Sequence, residues 1–105
     1  MNETKIEITI ITADKKISES ISGSIKDSHP YKYLHNKLLV ARLRGIKQEI
    51  AELPIEQQAS IIRNVLIAER NIAETAAEQY ALLNANDIFN DLMEIVGEIN
   101  NLLTL

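Results

Sequence analysis

Apolar side chains alternate with polar ones near the start of the chain and return every three or four positions from residue 30 onward. In KIEITIIT (5–12), Ile6, Ile8 and Ile10 share one side of a period-two pattern rich in β-branched residues, which predicts a strand. ADKK (13–16) reads as a polar turn. ISESISGSI (17–25) sets Ile17, Ile21 and Ile25 at even spacing, a second strand in which Gly23 can bulge. The product is a β-hairpin over 5–25. Two strands alone are marginal in water, so this hairpin is expected to lie on helices or to pair with another copy.

The period then changes. Pro30 suits a first helical turn, and Asp27, Ser28 or His29 can cap it. Leu39, Leu43, Ile46, Ile50 and Leu53 recur at spacings of four, three, four and three, a coiled-coil-like seam. Pro54 restarts the chain. Over 55–83, Ile55, Ala59, Ile62, Leu66, Ala73, Ala76, Tyr80 and Leu83 fall on one face. The short link at Pro54 makes these two helices an antiparallel αα-hairpin over 30–83. NANDIF (84–89) offers residues to end one helix and cap the next, the alternative being a single helix running through 84–87. A third helix over 86–103 repeats the seam at Ile88, Leu92, Ile95, Ile99 and Leu102, with Phe89, Val96 and Leu103 widening it and Gly97 permitting close helix approach. The expected fold is α+β, mainly α, in one domain over 1–105.

Charge changes this picture in one place. Residues 31–50 hold five bases and one acid, net +4; residues 51–105 hold two and nine, net −7; the whole chain is −4. The positive segment either neutralises the negative one or grips something anionic. Tyr33, Lys37, Val40, Arg44 and Lys47 form a single helical stripe turned away from the Leu39–Ile50 seam. Tyr33, Lys37, Arg44 and Lys47 are therefore candidates to bind phosphate oxygens, stacked bases or an acidic protein surface. Duplex nucleic acid is disfavoured, because the stripe is thin and the pI is about 5.1.

Glu69 interrupts the apolar face of the second helix. The hairpin register brings it opposite residues 38–39, near His35 and Arg42, and predicts an Arg42–Glu69 ion pair that fixes register rather than a catalytic acid. His29 and His35 are six apart across a proline, and there is no cysteine, so no metal site or disulfide is expected. Ser18, Ser20, Ser22 and Ser24 have no visible base, and three scattered glycines make no phosphate loop. The chain reads as a non-enzyme with no cofactor. No apolar run suits a membrane span and no basic-then-apolar leader opens the sequence, so a cytoplasmic location is expected.

In the αα-hairpin, Arg63, Ile67–Ala68 and Ile72, with LRGIKQEI (43–50) before them, resemble the helical hairpin of phage cyclic-nucleotide sponges that counter the CBASS and Thoeris defences. The likeness covers residues 43–72; AETAAEQY (73–80) stands where those proteins carry a bulky Phe-Met or Trp segment. The resemblance implies an oligomeric, non-catalytic protein sequestering a nucleotide signal, and it transfers no binding residue. The preferred expectation is a small self-associating binding protein of the phage or mobile-element inhibitor type, acting by protein–protein contact. The alternatives are an oligomeric sponge for an anionic nucleotide and a structural or assembly subunit. A homo-oligomer, dimer or higher, would use the third-helix seam Ile88, Leu92, Ile95, Ile99 and Leu102 as its interface.

Overall fold

The computed structural model describes residues 15, 16, 18, 19 and 30–104. They form α1 (Pro30–Glu49), α2 (Ile55–Leu82) and α3 (Asn86–Leu103). The β-hairpin expected over 5–25 is corrected: Lys15, Lys16, Ser18 and Glu19 are helical, and no strand occurs among the described residues. The rest of that segment, and the caps Asp27, Ser28 and His29, lie outside them. The expectation failed for a physical reason. Apolar residues four apart, as at Ile17, Ile21 and Ile25, satisfy a period of two and one helical turn equally well.

Both connections are built from identifiable turn chemistry. After α1, the Leu53 N–H donates to Ile50 O (3.0 Å). Pro54 then sits one residue outside α2 as its N-cap, with φ −53° and ψ 144°. Its carbonyl accepts from the Gln57 and Gln58 N–H groups at 2.9 and 3.0 Å. The Gln58 amide closes the turn by donating to Ala51 O (3.2 Å) and Leu53 O (2.8 Å). At the other end of α2, Asn84 adopts φ 59°, the left-handed conformation usually taken by glycine. The Asn84 N–H reaches Ala81 O (3.1 Å) and the Ala85 N–H reaches Tyr80 O (3.0 Å), a Schellman ending that stops the helix without Gly or Pro. Residues 55–103 are thus two helices, not one.

α2 and α3 make the most intimate pair, and α1 packs against both. At 28 residues α2 should be about 42 Å long, and the bundle measures 47 × 26 × 23 Å. The core holds Leu39 and Val40 of α1, Ile62, Leu66, Ala73 and Ala77 of α2, and Leu92, Ile95, Val96, Ile99 and Leu102 of α3. Leu43, Ile46, Ile50, Tyr80, Ile88 and Phe89 close its edges. Burying a side chain such as Leu92 or Ile95 fully contributes about 2 kcal/mol, so these eleven positions hold the helices together.

Two expectations about α3 are corrected here. Its seam is filled from within the chain: Leu92, Ile95, Ile99 and Leu102 are 0–5% exposed and Ile88 is half-buried against the same core. It is not available as an interface between copies, because the α1 and α2 side chains already cover it. Gly97 supports no close approach either, since a Cβ added there would meet nothing within 4 Å.

Candidate functional site

Two features stand apart from the apolar core. The first is a polar ladder joining all three helices. α1 has no acid in its first turn, and helix geometry gives its first N–H groups no acceptor within α1 itself. Asp91 of α3, only 5% exposed, provides one: its Oδ2 accepts from the Lys32 backbone N–H at 3.3 Å. A carboxylate 59 residues distant thus caps α1 and complements its dipole. The Lys32 ammonium reaches Glu94 Oε2 (3.2 Å) and Glu98 Oε1 (2.5 Å). Partial burial by itself would lower the Lys32 pKa, but the hydrogen bonds and charges of Glu98 and Glu94 outweigh it, and the net shift is upward.

One turn on, the buried Asn36 donates from Nδ2 to Glu98 Oε2 (3.4 Å), which leaves its Oδ1 to accept from His35 Nδ1 (3.1 Å). His35 Nε2 stands 3.6 Å from Glu69 Oε2. The other Glu69 oxygen accepts from Arg42 Nη1, so the Arg42–Glu69 pair is made where the antiparallel register places it. Every buried side-chain nitrogen or oxygen among the described residues has a hydrogen-bond partner. The ladder is a locking device: its acids are engaged by Lys32, Asn36, His35 and Arg42. Among the described residues no group of three or more His, Cys, Asp or Glu is arranged to hold a metal.

The basic stripe is less continuous than its spacing suggested. Lys37, Arg44 and Lys47 are exposed and Tyr33 is half-buried, but Val40 in the middle is a core residue at 6% exposure. Lys37 turns back on its own helix, donating to the Tyr33 hydroxyl (3.3 Å) and lying 5.5 Å from that ring's centroid.

The second feature was not singled out from the sequence. On α1, Tyr31, Leu34, Leu38, Ala41 and Gly45 recur at spacings of three, four, three and four, all on the exposed side. On α2, positions 61, 65, 68, 72, 76, 79 and 83 carry Ile, Val, Ala, Ile, Ala, Gln and Leu, a second stripe flanking the buried one. Helical spacing puts both stripes beside the Arg42–Glu69 contact on the same outer side of the α1/α2 pair. The two stripes contain no charged residue. Leu34 is 58% exposed, Leu38 71% and Ile72 62%. A shallow depression of about 400 Å³ lies on the face, lined by Asn71, Ile72, Thr75, Ala76 and Gln79. On α1, partial burial, then the charge of Tyr80, push the Tyr31 phenol upward. The signal was present in the sequence, since α2 carries apolar residues in adjacent pairs (61–62, 65–66, 72–73, 76–77) and so must have two greasy flanks.

Comparison with protein-family models, with curated proteins and with solved structures finds no match to this chain. Among the described residues no helix is long and apolar enough to cross a membrane.

Proposed function

We propose that this is a non-enzymatic binding protein that acts by contact, with the outer α1/α2 face as its working surface. One observation carries the reading: two uncharged stripes, one on each helix, keep Leu34, Leu38 and Ile72 more than half exposed. Contiguous exposed apolar surface of this kind marks an interaction site. The polar ladder argues in the same direction, because its acids and its imidazole are engaged with one another rather than converging on an open cleft. Tyr33, Lys37, Arg44 and Lys47 lie outside these stripes, on another flank of α1.

Site-specific photo-crosslinking in the cell of origin tests this. A photoreactive residue at Leu38 or Ile72 should give a protein adduct, and one at exposed Glu74, on the other side of α2, should not. Equal labelling from all three, or no adduct from Leu38 and Ile72, would refute the assignment of the face.

A further inference from the structure

Resting on that reading, we infer that the occupant of the outer α1/α2 face is a second copy of the same face, joined in a two-fold symmetric dimer. In such a contact a surface is laid against itself, so any charge it carried would meet its own kind near the axis. The two stripes are built without one. Leu34, Leu38, Ala68 and Ile72 are uncharged and unpaired, while the adjacent Arg42 and Glu69 neutralise each other within the copy. A partner of different sequence would instead be selected by complementary charge, which these stripes do not offer.

Size fits as well. From residue 61 to 83 the α2 stripe runs roughly 33 Å at helical rise. The α1 stripe, from 31 to 45, runs roughly 21 Å, and at about 10 Å of width per helix each copy presents on the order of 550 Å². A stable interface buries about 800 Å² per partner, so the two stripes alone make up about two-thirds of one. Ala41, Gly45 and Ala68 keep the face low, which lets helices from two copies approach within packing distance, about 8–10 Å between axes. A four-helix contact made from two α1/α2 pairs results, with α3 on the outside of each copy. It differs from the interface expected on the α3 seam, which the core occupies.

Sedimentation equilibrium of the full chain, with and without L38E/I72E, decides this. The wild type should have twice the 11.8 kDa chain mass. L38E/I72E should keep its helical circular dichroism and associate roughly 100-fold more weakly or not at all, because the contact would bury unpaired charge. If L38E/I72E loses helicity, L34S/L38S, altered only at exposed positions, is read in its place. A monomeric wild type overturns the inference. If L38E/I72E then melts lower, the chain's own residues cover the face. If Leu38 and Ile72 crosslink only to another protein, the contact reading stands and the dimer falls. Wild-type-like association of L38E/I72E overturns it too.

Discussion

Removing the Asp91 carboxylate separates the two things it does for α1. Asp91→Ala deletes the acceptor for the Lys32 N–H and the negative charge at the α1 N-terminus; Asp91→Asn keeps an acceptor oxygen and deletes only the charge. A side-chain cap contributes about 1 kcal/mol, with a range of roughly 0.5–2. A charge at a helix end adds about 0.3–1 kcal/mol. Asp91 is 5% exposed, so water cannot readily replace it, and the middle of each range applies. Asp91→Ala should therefore cost about 2 kcal/mol and Asp91→Asn about 0.5–1 kcal/mol. In a domain of this size that is a fall in Tm of about 8–16 °C and about 2–8 °C respectively. Thermal and urea unfolding followed at the helical circular-dichroism band measure both. Equal losses for the two variants would refute the separation into cap and dipole. An Asp91→Ala variant as stable as the parent would refute the long-range cap altogether.

The remaining perturbations are simpler. Gly97→Ala fills open space on α3 and should stabilise by about 1 kcal/mol through helix propensity; a drop in Tm would mean that something packs on that glycine. Asn84→Gly should leave the Tm unchanged or slightly higher, and Asn84→Val should cost about 1–2 kcal/mol at φ 59°; equal Tm values for the two would refute the left-handed turn. Lys32 and Tyr31 are both raised above their ordinary values of 10.5 and 10.0. A raised group contributes stability that is whole below the ordinary value and lost as pH climbs through the folded one. The urea midpoint should fall between about pH 9 and about pH 12, and Lys32→Met and Tyr31→Phe should each flatten that fall. A slope unchanged in both variants would remove these groups from the account.

The helices were legible because each carries its own period. Leu39–Ile50, Ile62–Ala77 and Ile88–Leu102 return every three or four residues, and Pro54 and Asn84 mark the turns. Glu69 was legible too, since an acid on an apolar face needs a partner and the hairpin register named Arg42. Asp91 is the same kind of anomaly, three residues after Ile88 and four before Ile95, but the Lys32 N–H that it accepts from lies 59 residues away on α1. Local spacing says nothing about which helix α3 meets, so Lys32, Asn36 and Asp91 escaped notice. The destination of the α3 seam was hidden for the same reason: a heptad reports that a face is buried, not whether its own chain or another covers it. The strand expected over 17–25 failed because a spacing of four is shared by both periods.

Cysteine labelling offers the most direct measurement of the central claim, that the α3 seam is internal and the α1/α2 face is the one presented outward. The chain has no native cysteine, so L38C, I72C, I95C and I99C can each be followed alone with a thiol reagent in dilute and concentrated solution. The account predicts fast labelling of L38C and I72C when dilute, slowing as concentration rises, and slow labelling of I95C and I99C throughout. Labelling of I95C or I99C as fast as L38C, or rates at L38C and I72C indifferent to concentration, would contradict it.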